Sequence, residues 1–151
     1  MDKGIYCLVF KNPGCAIRVG ALGNLTFQPG WHIYVGSALG SGGLQRLQRH
    51  ISLAHLRDKR PTWHVDYLLT HTDFSLMYAI YAFTEERFEC SLARALRDSG
   101  IPAFGSSDCP CLSHLFYRQG DPKDEIISLF LKFHLTPRIK TIMSSRVQDN
   151  I

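Results

Sequence analysis

The sequence predicts one small domain of the α/β (α+β) class, and three observations support this prediction. Residues 4–10 (GIYCLVF) and 77–83 (MYAIYAF) are continuous apolar runs rich in strand-forming residues, which is typical of buried strands. Apolar residues recur with a helical period from Leu44 and again from Ile126. A length of 151 residues is sufficient for a substantial core, and no repeat or linker divides it, so residues 1–151 are expected to form a single domain.

The composition limits the classes of protein to which the chain can belong. With 45% hydrophobic and 11% aromatic residues, the chain is expected to fold rather than remain disordered. No apolar run approaches the roughly 18 residues that a membrane span needs, so no membrane partner is expected. The N-terminus has no secretion signal, which predicts a cytoplasmic location. The net charge of +4 permits a polyanionic partner but does not require one.

The cysteines are expected to be reduced. Their number is odd, and without a secretion signal an odd number favours free thiols. We therefore expect no structural disulfide in this chain. The five residues are Cys7, Cys15, Cys90, Cys109 and Cys111.

The first half of the chain is expected to form strands and turns before a helix begins. A turn at residues 11–14 leads to a short strand at 16–19, and a second turn at 28–30 leads to a strand at 31–36. A Gly/Ser-rich loop then precedes the helix that starts near Leu44. One face of this helix is apolar, and a neighbouring face carries basic residues spaced i, i+3 and i+4. These residues are Arg46, Arg49 and His50.

A strand is expected at residues 63–69 (WHVDYLL). Because side chains alternate along a strand, this assignment would place His64 and Asp66 on the same face. After the strand at 77–83, Thr84 is the expected N-cap of a helix that extends to about residue 98.

The remaining elements lie near the C-terminus. Residues 114–117 are expected to form a short strand, and Asp121 is the expected N-cap of a helix that has proline in its first turn. Residues 137–151 are basic and then polar, and they are expected to form a loosely ordered tail.

A set of residues on these elements is suited to phosphodiester hydrolysis. In that chemistry a carboxylate holds a divalent metal ion, an arginine offsets charge in the transition state, and a tyrosine or histidine takes a proton from the attacking water. Each residue also has an ordinary structural explanation, since tyrosines are common in strands and arginines on helix surfaces. The candidates for this site are Tyr6, Tyr34, Arg46, His50 and Glu89.

At these positions the chain resembles the GIY-YIG nuclease superfamily. The first motif is Gly4-Ile5-Tyr6 and the second is Tyr34-Val35-Gly36, with valine in place of isoleucine. The resemblance implies a central antiparallel sheet flanked by helices and endonuclease activity on DNA or structured nucleic acid. It assigns Arg46 to the scissile phosphate, His50 to the position one turn later, and Glu89 to one Mg²⁺ or Mn²⁺ ion.

Over about residues 4–117, the chain is similar to an uncharacterised archaeal and bacterial branch of GIY-YIG-related proteins. This resemblance is carried by residues 63–69 (WHVDYLL), Glu89-Cys90, 104–109 (FGSSDC) and 114–116 (HLF). Three features depart from the superfamily pattern. Arg46 lies ten positions after Gly36, which is often more than in the superfamily, and Ser37 stands where some repair nucleases have lysine. The late asparagine of the superfamily has no assigned counterpart in this chain. Further residues expected to contact nucleic acid are Ser37, Arg49 and Arg57.

Two alternatives remain open from the sequence. The domain would be a nucleic-acid-binding module without catalysis if it kept the fold and the basic helix alone. A Cys/His site is the other alternative, with Cys109, Cys111 and His114 as the central residues and Cys90 as a further ligand if the site held zinc. Zinc is the weaker metal assignment because Cys-x-Cys is not the usual zinc-knuckle spacing. The secondary candidate residues are His64, Asp66, Cys109, Cys111 and His114.

Overall fold

The computed structural model describes residues 2–97, 99–102, 104 and 113–142. In this part of the chain, a five-stranded antiparallel sheet with the strand order β6-β4-β1-β5-β7 is accompanied by four α-helices and a separate hairpin, β2-β3. The expected α+β class is therefore confirmed. The elements are β1 (Gly4–Asn12), β2 (Cys15–Val19), β3 (Gly23–Phe27), β4 (Gly30–Ala38), α1 (Gln45–Leu56), α2 (His64–Leu69), β5 (Ser75–Phe83), α3 (Glu89–Ala95), β6 (Leu115–Arg118), α4 (Lys123–Lys132) and β7 (Arg138–Thr141).

The central strand β1 separates the core into two layers. All residues from Gly4 to Phe10 are buried, as a strand covered on both faces requires. On one face Tyr6, Leu8 and Phe10 pack with α1 and α2. On the other face Ile5, Cys7 and Val9 pack with α3 and α4. The apolar run in the sequence therefore identified the strand around which both layers are built.

The register between β1 and β4 places the two motif tyrosines on one face of the sheet. Tyr6 lies opposite Gly36 and Leu8 lies opposite Tyr34, so both tyrosines face the layer that contains α1. Gly36 has a specific steric role in this pairing. A Cβ atom added there would lie 2.5 Å from Cζ of Tyr6, so only glycine leaves room for the tyrosine ring.

Two helices begin within one residue of their predicted starts. Helix α1 starts one residue after Leu44, and its apolar stripe is buried. Helix α4 begins at Lys123 with Pro122 as its N-cap, so the prediction of Asp121 as the N-cap is wrong by one residue. The carboxylate of Asp121 accepts a hydrogen bond from the backbone N–H of Lys123 (3.1 Å) and another from the hydroxyl of Tyr78. The 12 residues of α1 make it the longest helix described, and no described helix is long and apolar enough to cross a lipid bilayer.

The prediction of a strand at residues 63–69 is wrong, because His64–Leu69 form helix α2. The carboxylate of Asp66 accepts hydrogen bonds from the backbone N–H groups of Thr62 (2.9 Å) and Trp63 (3.0 Å), which satisfies donors at the start of the helix. Val65 and the two leucines that follow are buried with helical spacing. His64 and Asp66 therefore do not share the face of a strand.

Helix α3 is shorter than predicted. It begins at Glu89 and ends at Ala95, so Thr84 is not its N-cap. The hydroxyl of Thr84 instead accepts a hydrogen bond from the backbone N–H of Glu86 (3.1 Å), which stabilises a turn ahead of the helix. As a result, Glu89 lies at the first residue of the helix.

The expected loose tail contains an ordered strand at its start. Arg138–Thr141 form β7, which pairs antiparallel with β5 and lies at one edge of the sheet. Residues 143–151 lie outside the described part of the chain. The tail prediction is therefore wrong for residues 138–141.

Substitution of Gly36 by alanine is expected to destabilise the domain by about 1–3 kcal/mol, because the new methyl group would displace the buried ring of Tyr6. Urea unfolding of the purified variant measures this loss. Gly40→Ala is the matched control, since a Cβ atom at Gly40 has no neighbour within 4 Å. Equal stability of the two variants would contradict the close approach of Tyr6 to Gly36.

Candidate active site

A buried hydrogen bond connects the first motif tyrosine to helix α1. The hydroxyl of Tyr6 lies 2.9 Å from Nε2 of His50, and their ring centroids are 5.5 Å apart. Only 2% of Tyr6 and 4% of His50 are exposed to solvent. Because β1 is the central strand and α1 packs directly on it, neither residue can move without disturbing the core. The structure thus brings together two of the predicted catalytic residues.

The ionisation of this pair follows from its burial. Burial lowers the pKa of His50 to about 4, while the nearby carboxylate of Asp66 opposes the shift and Arg46 and Arg49 reinforce it. Burial also raises the pKa of Tyr6 well above its usual value, and Tyr34 adds to that effect. At neutral pH the imidazole is therefore uncharged and the phenol is protonated.

Arg46 is held at the end of β4 by two contacts. Its Nη1 donates a hydrogen bond to the backbone carbonyl of Ser37 (3.1 Å). Its guanidinium carbon also lies 5.1 Å from the ring centroid of Trp63, in a cation–π contact. The side chain is half-buried, so its position is defined while part of it remains accessible.

Glu89 approaches the same strand end from the other face of the sheet. Its Oε1 accepts a long hydrogen bond from the hydroxyl of Ser37 (3.5 Å), and its Oε2 lies 3.3 Å from Nδ1 of His114. The Glu89 side chain is 26% exposed, whereas that of His114 is 1% exposed. Ser37 therefore connects Arg46, through its backbone carbonyl, with Glu89, through its hydroxyl. Two helices on opposite faces of the sheet thus supply an arginine and a carboxylate to one end of β4.

The basic face of α1 opens into a cleft of about 350 Å³ between this helix and the segment that leads to α2. Arg46, Arg49 and Trp63 line the cleft, and His50 lies at its inner wall. Arg49 is exposed to solvent. The structure does not bring Arg57 into the lining; this residue ends α1 with a left-handed backbone conformation (φ 50°).

The remaining described residues from the predicted set are Tyr34, His64 and Asp66, and two of them contact the same phenylalanine. Tyr34 is half-buried and its ring packs edge-on against Phe104, with centroids 6.3 Å apart. His64 packs against the same phenylalanine at 5.4 Å, and burial lowers its pKa. Asp66 is buried at the start of α2, where it stabilises the charged form of His50. Asp66 therefore supports the site, whereas His64 contributes to packing.

The cysteine predictions have a mixed outcome. Cys109 and Cys111 lie outside the described residues. Cys90 is disulfide-bonded, so the expectation of five reduced cysteines is wrong. Cys7 and Cys15 have free thiols. A sulfur in a disulfide is not a thiolate, and Cys90 in this form offers no zinc ligand.

Sequence reasoning missed the roles of two residues at this site. Trp63 was assigned to a strand, and His114 to a cysteine cluster rather than to Glu89. The one available signal for Trp63 was its position three residues before Asp66, since Trp63 is the N-cap of α2 and Asp66 is the third residue of that helix. No sequence pattern indicates that His114 would contact Glu89, because the two residues are on separate elements.

A second group of potential metal ligands lies elsewhere in the domain. The ligand atoms of Cys15, His71 and Asp73 lie within 4.8 Å of one another. However, Nδ1 of His71 accepts a hydrogen bond from the backbone N–H of Asp73 (3.1 Å), so the neutral ring carries its proton on Nε2. Neither ring nitrogen is therefore available to a metal unless this contact breaks. None of these residues was a predicted ligand.

Comparison with known proteins identifies one family. The model of the family described as "Domain of unknown function DUF123" matches residues 5–135, which is most of the chain. The match spans all the residues of the candidate site. No curated protein and no solved structure matches the chain significantly.

The depressed pKa of His50 predicts that the domain loses stability as the pH falls from about 6.5 towards 4. In this window the unfolded chain binds a proton at His50 and the native state does not, so stability rises with pH by up to about 1.4 kcal/mol per pH unit. Urea unfolding at pH 7 and pH 5 measures the slope, to which His32 also contributes because its pKa is lowered to about 4 by burial.

The matched pair of variants is His50→Gln and His55→Gln, since His55 is exposed on the same helix. His50→Gln is expected to reduce the stability difference between the two pH values by about 2 kcal/mol, whereas His55→Gln leaves it unchanged. Identical slopes for the two variants would show that His50 is not held uncharged by the fold.

Proposed function

We propose that this chain, which belongs to the DUF123 family, is a divalent-metal-dependent endonuclease of the GIY-YIG type that hydrolyses phosphodiester bonds in DNA or structured nucleic acid. The observation that carries this proposal is the convergence of Arg46 and Glu89 at Ser37, next to the hydrogen-bonded pair of Tyr6 and His50. An arginine, a carboxylate and a proton-accepting pair are the groups that phosphodiester hydrolysis requires.

The oxygen donors around Glu89 fit a hard divalent cation. The carboxylate is partly exposed, and the hydroxyl of Ser37 lies beside it. Mg²⁺ usually takes one or two protein carboxylates and completes its shell with water and substrate phosphate, so one glutamate is sufficient. Glu89 would hold Mg²⁺ or Mn²⁺, with Ser37 as a neighbouring donor. The bound ion would supply Lewis-acid stabilisation of the charge on the phosphate.

His114 orients the carboxylate of Glu89. It is almost fully buried, and its Nδ1 lies 3.3 Å from Oε2. A buried imidazole beside one carboxylate oxygen would favour the rotamer in which the other oxygen lies 3.5 Å from the hydroxyl of Ser37. His114 is therefore a positioning residue, because it acts on a metal through Glu89.

Arg46 provides positive charge for the phosphate. Its guanidinium is fixed between the carbonyl of Ser37 and the ring of Trp63, so little side-chain entropy is lost when it binds an anion. Its planar N–H groups suit the paired oxygens of a phosphate. Arg46 would bind the scissile phosphate and stabilise the added charge of the transition state.

Tyr6 and His50 form the path for the proton of the attacking water. In this proposal the phenolic oxygen of Tyr6 takes a proton from water while its own proton passes to the uncharged Nε2 of His50, 2.9 Å away. The resulting hydroxide attacks phosphorus, the bond to the leaving oxygen breaks, and that oxygen is protonated by solvent. The carboxylate of Asp66 stabilises the imidazolium. Tyr34, which is half-buried on the same face, would contact the substrate.

DNA is the proposed partner, and the cytoplasm is the proposed compartment. The net charge of +4 and the exposed Arg49 beside the cleft favour a polyanion.

A non-catalytic binding module of the same fold is the second candidate. The deep burial of Tyr6 and His50 favours it, since two polar groups that satisfy each other also make a stable structural pair. Nothing among the described residues supports the third candidate, a Cys/His enzyme, because His114 lies against Glu89.

Glu89→Gln is expected to stop metal-dependent cleavage and leave DNA binding intact, because the amide keeps the shape of the side chain and removes the charge that holds the cation. Cleavage of duplex, single-stranded, flapped and branched DNA with Mg²⁺ or Mn²⁺, against EDTA, measures activity. Glu86→Gln is the control, since Glu86 is exposed ahead of the same helix. Full activity of the Glu89 variant would exclude the proposed metal site.

Arg46→Ala is expected to lower the cleavage rate at least about 100-fold, as the loss of a preorganised transition-state donor does. Stability is expected to change little, because the side chain is only half-buried at the rim of the domain. The same cleavage assay and urea unfolding provide the two measurements. Arg94→Ala, at an exposed position on α3, is the control for a general loss of positive charge. Equal rates for the two variants would remove Arg46 from the mechanism.

His114→Asn is expected to raise the Mg²⁺ concentration for half-maximal cleavage by about 10- to 100-fold, as removal of a residue that orients a metal ligand does. Saturating Mg²⁺ is expected to restore most of the rate. Urea unfolding separates this effect from a loss of folding, since His114 is buried. An unchanged Mg²⁺ requirement in a folded variant would contradict the positioning role.

A further inference from the structure

We infer that Trp63 is a stacking surface for an unpaired nucleobase, so that the cleft beside α1 takes a single-stranded or locally unpaired segment rather than an intact duplex. This inference rests on the proposed function in one respect, since it takes nucleic acid as the ligand. It adds a substrate class and a binding residue, and it concerns a surface outside the Tyr6–His50 pair.

The first observation is the exposure of apolar side chains at the cleft. Trp63 is 47% exposed and Leu56 is 67% exposed, and both line the same cleft. Leu53 lies between them on α1 and is half-buried. An exposed tryptophan next to exposed leucine is an apolar patch, and such patches mark binding surfaces when polar groups surround them.

The second observation is the charge around this patch. Three cationic side chains line the cleft, and Arg46 lies directly over the indole ring. Two carboxylates also line it, Asp58 and Asp66. The carboxylate of Asp66 already accepts two backbone hydrogen bonds, so it is directed towards the protein. The remaining cations are Arg49 and Lys59.

An aromatic face within a cationic cleft matches the two parts of a nucleotide. Bases stack on aromatic rings, and arginine and lysine contact the backbone phosphates. In a B-form duplex the faces of each base are covered by the neighbouring base pairs, so a side chain reaches only the base edges in the grooves. A base can therefore cover Trp63 only where it is unpaired and unstacked. A volume of about 350 Å³ is in the range of sites for small ligands, which is sufficient for one such base.

Trp63 also contacts Arg46 and His50, with ring centroids of Trp63 and His50 6.1 Å apart. A test must therefore separate stacking on a base from a role in holding these two residues. Loss of an arginine-positioning contact would weaken binding of single-stranded and duplex DNA to a similar degree. Loss of a stacking surface would weaken binding of the single strand alone.

The experiment uses the intrinsic fluorescence of the protein. The chain has two tryptophans, so the Trp31→Phe variant leaves Trp63 as the single reporter. This variant is titrated in EDTA, which prevents cleavage, with a single-stranded oligodeoxynucleotide and with the duplex of the same sequence. We expect the single strand to quench Trp63 fluorescence and the duplex to leave it unchanged.

Two variants in the otherwise native chain then test affinity by fluorescence anisotropy of a labelled oligonucleotide. Trp63→Leu keeps an apolar side chain without an aromatic face, and we expect it to weaken binding of the single strand about tenfold. Trp63→Phe keeps an aromatic ring and is expected to stay within about twofold of the native affinity. Duplex affinity is expected to fall less than single-strand affinity in Trp63→Leu, because the duplex loses only the contact that holds Arg46, and to stay within about twofold of the native value in Trp63→Phe. Circular dichroism checks that each variant is folded. If Trp63→Leu does not fold, the quenching of Trp63 fluorescence in the Trp31→Phe protein still tests whether a base stacks on Trp63.

The outcomes separate this inference from the proposed function. Equal quenching by duplex and single strand, or an equal loss of affinity for both in Trp63→Leu, overturns the inference and leaves the nuclease proposal standing. Binding of the single strand through Trp63 without metal-dependent cleavage of any substrate supports the inference and overturns the nuclease proposal. The absence of binding to any nucleic acid overturns both.

Discussion

The candidate site depends on the close approach of the Tyr6 ring to the backbone of Gly36. Antiparallel pairing of β1 and β4 places these residues opposite each other, and the missing Cβ atom at Gly36 gives the ring its space. From this position the Tyr6 hydroxyl reaches His50 on α1. Any larger side chain at residue 36 would move the ring and break the buried hydrogen bond. The approach of Tyr6 to Gly36 and the hydrogen bond of Tyr6 with His50 thus connect the two central strands with helix α1.

The site itself forms at the end of a strand and not on one face of the sheet. Arg46 comes from the layer that contains α1, and Glu89 comes from the layer that contains α3. They approach each other because Ser37 offers its backbone carbonyl in one direction and its hydroxyl in the other. The end of β4 at Ser37 therefore lies between the guanidinium of Arg46 and the carboxylate of Glu89. This arrangement leaves each of them accessible to a ligand that spans the strand end.

The electrostatic environment of the buried pair Tyr6 and His50 differs from that of Arg46 and Glu89 at the end of β4. In the interior, burial keeps Tyr6 protonated and His50 uncharged, so the pair carries no net charge at neutral pH. At the end of β4, the side chains of Arg46 and Glu89 are partly exposed to solvent. A neutral pair that can transfer a proton below a charged rim is suited to chemistry on an anionic substrate. The same burial explains why the domain is expected to be less stable in acid.

The sequence by itself determined the parts of the fold that follow from local patterns. The apolar runs of β1 and β5 and the helical stripe of α1 are visible in the chain because each element buries its own side chains. The tripeptides at Tyr6 and Tyr34 were also correctly assigned to two strands, and the structure places both tyrosines on one face. The sequence thus identified Tyr6, Arg46 and His50 as neighbours, because their positions depend on regular elements.

Only the tertiary structure decided the features that depend on distant contacts. The segment WHVDYLL alternates like a strand, but Asp66 accepts backbone hydrogen bonds that start a helix instead. The contact of Glu89 with His114 brings together residues that are far apart in the chain. Local propensity contains no information on such pairs, because their energy comes from packing and burial that exist only in the folded domain.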